Sequence, residues 1–258
     1  MQTGAQVTAF VNSVNTNVYA NWAGLSPQQR AQGVLDAGTA VLTAVGVTIV
    51  PTLNFATAAD NSRGSFGSGT WVVTVGAGMV PDNPDQAAML NVCTTIYHEL
   101  RHCQQFYLLA RFVAQTARSA GFLRQNLNKL TAPQQGMLNA NPVPKATLDT
   151  LARAYIAALT GMPANVILAA VGNPLPRGNA FEALCKKWYA ALYGTGGERL
   201  LAQLADHATI RVRTSAADYS DQRYARVYDQ YFQNQAHEAD AFQTEQLVAS
   251  DILTRNLF

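Results

Sequence analysis

A long apolar stripe in the middle of the chain predicts a buried helix. Residues 86–118 contain no Pro or Gly, and Asp85 before them can cap a helix start. Apolar side chains recur there at spacings of three and four residues, at Met89, Val92, Cys93, Ile96, Leu100 and Cys103. A second apolar set covers other sides of the same segment, at Phe106, Leu109 and Val113. Because a helix that is apolar on most sides belongs in a protein interior, we expect this helix at the centre of the fold.

The hydrophobic pattern predicts helices over most of the remaining chain and strands in one region. Further helices fit residues 27–45, which Ser26 can cap, and 146–159, 163–171, 179–193, 198–205 and 235–250, with a short one from 131. Residues 7–22 are only weakly periodic. Segments rich in β-branched residues at 46–50 and 70–75, joined by a loop at 60–69, predict two strands. We therefore predict one mostly helical α+β domain over residues 1–258. Its small N-terminal β-hairpin packs on the long helix, and residues 172–178 are the best hinge.

Composition narrows the range of functions. A hydrophobic content of 48% over 258 residues is enough for a sizeable core, and a net charge of +2 forms no basic stripe, which argues against nucleic-acid binding. No apolar run reaches the ~18 residues of a membrane span, and the N-terminus lacks the pattern of a signal peptide. The three Cys lack the spacing of a disulfide framework or a metal-binding pair, so we expect them buried and reduced.

The central helix carries the segment His98-Glu99-Leu100-Arg101-His102, with Thr95 and Gln105 nearby. Side chains at i and i+4 lie one above the other on a helix, so both imidazoles can bind one zinc ion. Glu99 is then placed to accept a proton from a metal-activated water. The alternative is that both histidines are ordinary buried polar residues, but half of the four His of the chain occur here with a Glu between them. We therefore expect a zinc site.

A catalytic zinc needs a third protein ligand, and the candidates lie downstream. Glu238 follows His237 and opens a mostly apolar helix, on which it shares one face with Phe242 and Glu245, while Asp240 points away. A lone Glu on a helix is usually a solvated charge, so other ligands stay open. These rivals of Glu238 are Glu182, His207 and His237.

The residues from Tyr97 to Phe106, Tyr-His-Glu-Leu-Arg-His-Cys-Gln-Gln-Phe, resemble the active-site helix of gluzincin-type zinc metallopeptidase domains of bacteria. The segment Glu238-Ala239-Asp240-Ala241-Phe242 is similar to the later element that supplies the third zinc ligand in many of them. The resemblance implies His98, His102 and Glu238 as zinc ligands and Glu99 as general base. It covers about twenty-five residues, and well over a hundred residues separate its two parts, whereas many gluzincins place them much closer. No Gly follows at metzincin spacing.

Substrate binding and oxyanion stabilisation need further groups. A strand just before the metal helix commonly lines the cleft of such folds and pairs with an extended peptide, although a small structural sheet would look the same in sequence. The C-terminal third is rich in Tyr and Arg. We expect most of these Tyr in the core or at interfaces and most of these Arg solvated at the surface. Tyr228 and Tyr231 stand nearest Glu238 and are our candidates for polarising the scissile carbonyl.

These observations predict a zinc-dependent metallopeptidase that acts on a protein or peptide. The resemblance further implies a secreted toxin or effector, made in the cytoplasm and exported or injected by a specialised secretion system, with a carrier and an immunity protein as partners. The alternatives are a zinc amidase or endopeptidase acting on cell-wall peptides, and a degenerate peptidase that serves as a binding module. A missing third ligand would favour the last of these.

Overall fold

The computed structural model describes residues 3–56, 64–193 and 235–258. Its helices are α1 (Gly4–Asn17), α2 (Pro27–Ala44), α3 (Gln86–Ala117), α4 (Ala120–Gln125), α5 (Ala132–Gly136), α6 (Lys145–Thr160), α7 (Ala164–Gly172), α8 (Glu182–Tyr193) and α9 (Ala236–Thr254). Its strands are β1 (Thr52–Ala56), β2 (Ser65–Gly67) and β3 (Val72–Gly76). The predicted fold class, a mostly helical α+β domain with a small sheet, is confirmed.

Helix α3 forms the centre of the molecule, as its apolar circumference predicts. The Asp85 carboxylate accepts a hydrogen bond of 2.8 Å from the Ala88 N–H and so caps its first turn. The rest of α3 is enclosed by α2, α6, α7, α8 and α9 and by the sheet. Because these elements surround α3, every residue from Val92 to Gln105 is buried, including the polar ones.

Helix α2 crosses α3 at Gly38. A Cβ atom built at Gly38 would lie 2.1 Å from Leu100 Cδ1, which is far inside van der Waals contact. The absent side chain therefore lets the two helices approach closely, directly beside the segment that carries the histidines.

The sheet differs from the predicted hairpin. Its strand order is β1-β3-β2, with β1 parallel to β3 and β2 antiparallel to it. The predicted strand at residues 46–50 is wrong, since the first strand begins at Thr52, and the hairpin partner of β3 lies inside the predicted loop at 60–69. Gly46 has a φ of +87° and, with Val47, closes the end of α2 instead of starting a strand.

Several predicted helices are confirmed with bounds that differ by a few residues, and one helix forms where the sequence pattern was too weak to predict it. The weakly periodic first run forms α1, which buries Val7, Phe10, Val11 and Val14. The predicted helix at 198–205 lies outside the described residues. Residues 173–181 connect α7 to α8, so the predicted hinge at 172–178 covers the last residue of α7 and most of this connection. Within it, Leu175 donates its N–H to the Arg111 carbonyl of α3. The hinge stays a prediction.

Candidate metal centre

Two imidazoles of α3 form the base of the site. His98 and His102 lie one turn apart on the helix, and each is only 7% exposed. Their Nε2 atoms are 3.1 Å apart, so both rings point one nitrogen toward the same spot. The helical period thus delivers the pair that the sequence predicts.

Helix α9 adds a carboxylate to this pair. Glu238, in the first turn of α9, places Oε2 at 3.3 Å from His102 Nε2 and at 3.6 Å from His98 Nε2. This oxygen is buried and has no partner in hydrogen-bonding geometry. A tetrahedral zinc with bonds of about 2.0–2.1 Å holds its ligand atoms about 3.3–3.4 Å apart. The three atoms therefore fit one face of a zinc coordination shell and leave the fourth position free of these side chains.

The electrostatics of the three groups favour a positive charge between them. Burial acts to raise the pKa of Glu238, but the His102 and His98 imidazoles outweigh it and hold that pKa at about 2. Burial lowers the pKa of His98, but the Glu238 and Glu245 carboxylates outweigh it and raise the value to about 9. An ionised carboxylate inside the protein needs a cationic partner, which a metal ion would supply.

Glu99 lies beside this triangle, between α3 and the sheet. It is 8% exposed, and burial raises its pKa, while His102 and His98 act in the opposite direction. The Phe66 N–H of β2 also donates to its carboxylate and lowers that pKa. The Glu99 side chain does not belong to the converging group of His98, His102 and Glu238. Its position suits a proton acceptor next to a metal more than a ligand.

The face of α9 predicted to carry Glu238, Phe242 and Glu245 does point at the site. The Phe242 ring lies 4.7 Å from the His98 ring, and Glu245 Oε2 lies 3.2 Å from His98 Nδ1. The contact with Glu245 is close, although His98 Nδ1 has no partner in hydrogen-bonding geometry. Glu245 can thus orient His98 through its charge. The helical period places Glu245 on the correct face of the helix but assigns it no role in the site.

Asp240 leaves that face, as predicted, but it is not exposed. It contacts α3 through Arg101, whose Nε and Nη2 lie 2.7 and 3.1 Å from its two oxygens. Arg101 is fully buried. The sequence indicates the Arg101–Asp240 ion pair only indirectly, because it places a charged residue in a helix that the hydrophobic pattern predicts to be buried.

The predicted rivals for the third ligand lie elsewhere or at the margin. Glu182 is bonded to Lys186 Nζ at 2.9 Å and to the Gly178 N–H at 2.7 Å, away from the histidines. His237 is buried beside the site, with its ring 6.0 Å from that of His102, and burial lowers its pKa to about 4. It does not belong to the converging group. His207, Tyr228 and Tyr231 lie outside the described residues.

No other group of three His, Cys, Asp or Glu side chains converges in this way in the described part of the chain. Cys93, Cys103 and Cys185 are buried and free, as expected. None of the helices in residues 3–56, 64–193 and 235–258 combines the length and apolar content that crossing a bilayer requires.

Comparisons of the chain with protein-family profiles, with curated protein sequences and with solved structures found no match.

Proposed function

We propose that this chain is a zinc-dependent metallopeptidase. The observation that carries the proposal is the convergence of His98 Nε2, His102 Nε2 and Glu238 Oε2, which lie 3.1–3.6 Å from one another, with Glu99 beside them. Two imidazoles, which bind zinc in their neutral form, and one carboxylate, with a fourth position left for water, form the ligand set of catalytic rather than structural zinc.

The roles of the residues follow from their places around this set. Zinc bound there would polarise a carbonyl and lower the pKa of a water molecule. Glu99 accepts the proton of the attacking water and passes it to the leaving amine, so it must stay off the metal and be only lightly solvated. Its burial and its absence from the converging group of ligand atoms support both requirements.

Strand β2 supports a peptide as the substrate. It is an edge strand of the described sheet, and a main-chain hydrogen bond from Phe66 to Glu99 acts against the burial that raises the pKa of that carboxyl, which places this strand beside the site. The outer main-chain edge of β2 therefore faces the site, where an extended peptide can add as a further strand. The ring of Phe66 lies 5.1 Å from Trp71 and 6.1 Å from Phe106, which gives this edge an apolar wall.

The test combines metal analysis with hydrolysis. Purified protein is incubated with a peptide mixture and with peptidoglycan fragments, before and after zinc removal, and products are read by mass spectrometry. Glu99→Gln should keep its zinc and its fold but lose ~10²-fold or more in kcat, the usual scale for a positioned proton acceptor. Glu182→Gln, at the first residue of α8 and engaged with Lys186 rather than with the histidines, serves as the matched control and should keep full activity.

An active Glu99→Gln protein, or hydrolysis that survives zinc removal, would refute the proposal. Cleavage of peptidoglycan fragments alone would identify a cell-wall amidase with the same centre, and zinc binding without any hydrolysis would identify a binding module. The secretion route, the carrier and the immunity protein stay predictions of the resemblance.

A further inference from the structure

Gln105 stands where the ligand His102 meets helix α9. Its side chain is fully buried and makes three hydrogen bonds. Its Oε1 lies 2.8 Å from His102 Nδ1, while its Nε2 donates to the His237 carbonyl at 2.7 Å and to Asp240 Oδ2 at 2.6 Å. One amide thus joins a histidine of α3 to the two residues that flank Glu238 and Ala239 on α9.

The partners of this amide determine its orientation. A main-chain carbonyl and a carboxylate paired with Arg101 can only accept hydrogen bonds, so the Gln105 atom that faces them must be the NH₂ group. Oε1 must then face His102, and an oxygen can only accept. Neutral His102 therefore carries its proton on Nδ1 and presents the lone pair of Nε2 toward His98 and Glu238.

Asp240, the second partner, is itself fixed. Arg101 binds both of its oxygens, packs 5.4 Å above the Trp188 ring and donates to Gln104 Oε1 through Nη1. Because a bidentate pair has a defined geometry, Asp240 gives Gln105 a rigid acceptor two residues from Glu238. The position of the carboxylate ligand and the tautomer of the imidazole ligand are thus coupled through one side chain.

We propose that Gln105 is a positioning residue of the metal centre, which holds His102 in its metal-binding tautomer and fixes the start of α9 so that Glu238 meets it. This role rests on the proposed zinc site. Gln105 contacts neither a reacting atom nor the metal position, and it acts only through His102, His237 and Asp240.

The first test is zinc affinity, measured by chelator competition on the full chain. Gln105→Met keeps the length of the side chain but removes all three hydrogen bonds, and it should weaken zinc binding by roughly 10–100-fold, as losses of such outer partners do. The matched control is Gln104→Met, one residue away, equally buried and bonded to Arg101 but not to a ligand. It should lower the melting temperature of the metal-free protein and leave zinc affinity nearly unchanged.

The second readout is spectroscopic. Cobalt replaces zinc in such sites, and its visible absorption bands report ligand geometry. The bands should change in Gln105→Met and stay as in the wild type in Gln104→Met. A merely structural role would shift the melting temperatures of both variants and neither spectrum. If the Met variant does not fold, Gln105→Asn, which keeps the amide but shortens its reach, replaces it in both measurements.

A charge-swapped pair provides the rescue. Gln105→Glu still accepts from His102 Nδ1 but loses its donors and places a second carboxylate against Asp240, so zinc affinity should fall. Adding Asp240→Asn returns a donor to Glu at 105 and keeps the net charge beside Arg101. The double variant should therefore bind zinc more tightly than Gln105→Glu alone.

Equal zinc affinities for the wild type and Gln105→Met, equal losses in Gln105→Met and Gln104→Met, or no rescue in the double variant would overturn the positioning role while leaving the zinc site intact. A wild-type chain that binds no zinc would overturn the proposed function and this role with it.

Discussion

At the scale of single residues, Glu238 is the most informative group in the molecule. It is a carboxylate kept ionised inside the protein, with Oε2 between two imidazoles and without a partner in hydrogen-bonding geometry. A buried charge is costly unless it is paired. The histidines offset that cost only as far as one of them holds a proton, whereas a divalent cation would satisfy all three groups at once.

Glu238→Ala should therefore abolish tight zinc binding, because it removes the only anionic member of the ligand set. Glu182→Ala is the control, since that carboxylate is engaged with Lys186 and the Gly178 N–H. Zinc content is measured on both proteins after dialysis against a weak chelator. Zinc retained in Glu238→Ala would show that another residue completes the site.

The sequence could predict the histidine pair but not the residues that hold it. His98 and His102 are one helical turn apart, so their proximity follows from the period of the helix. Glu238 could be named only through the resemblance, because a separation of more than a hundred residues says nothing about distance in space. The hydrogen bonds of Gln105 and the burial of Asp240 depend on how α9 docks, which no local pattern encodes.

At the scale of elements, the short strands escaped the sequence pattern. The β-branched residues from Val47 to Val50 indicate a strand, yet this segment forms hydrogen bonds with side chains of other elements. The Thr48 hydroxyl bonds to the Tyr107 hydroxyl, and the Ile49 carbonyl accepts a hydrogen bond from Trp71 Nε1. β2 has only three residues, too few for an alternating pattern to stand out from a Gly- and Ser-rich loop. Long-range contacts decided both cases.

The approach of β2 to α3 depends on Gly64. A Cβ atom at this position would lie 2.9 Å from Thr95 Cγ2, 3.2 Å from the Thr74 carbonyl oxygen and 3.5 Å from Glu99 Cγ. Gly64→Ala should push β2 away from Glu99, lowering the free energy of unfolding by about 1–3 kcal/mol, as overpacking does, and lowering kcat while zinc stays bound. Gly69→Ala, whose Cβ would meet only the Gly161 carbonyl at 3.6 Å, is the control.

These effects are read from urea unfolding and peptide hydrolysis on the same preparations. Unchanged activity in Gly64→Ala would mean that β2 does not form part of the substrate site.

At the scale of the whole molecule, the fold brings a distant C-terminal helix onto the central one. α9 packs on both α3 and α1, and its Asp240 forms the buried ion pair with Arg101. Asp240→Ala would leave the Arg101 charge buried and unpaired, which typically costs about 3–5 kcal/mol of unfolding free energy. The double variant Arg101→Met with Asp240→Leu should recover much of this loss, because well-packed apolar residues often replace a buried pair without penalty.

Urea unfolding of the single and double variants measures both effects. The reference is Lys186→Ala on α8, where the lysine side chain is 63% exposed and its loss should barely change stability. A double variant as unstable as Asp240→Ala would mean that hydrogen bonds to Asp240, rather than the unpaired Arg101 charge, dominate the loss.

Zinc should stabilise the whole fold, since its ligands come from α3 and α9, two helices that are far apart in the sequence. A metal that binds the native chain and not the unfolded one adds about 2.7 kcal/mol when free zinc is 100-fold above Kd. For a chain of this length, that corresponds to a rise of about 5–10 °C in the melting temperature. Thermal unfolding with zinc or with chelator measures it, and the double variant His98→Ala with His102→Ala should show no rise.

Because α9 supplies Glu238, the zinc-dependent gain in stability should also appear as slower amide exchange in both α3 and α9. A gain confined to α3 would mean that the two histidines bind zinc without the C-terminal helix.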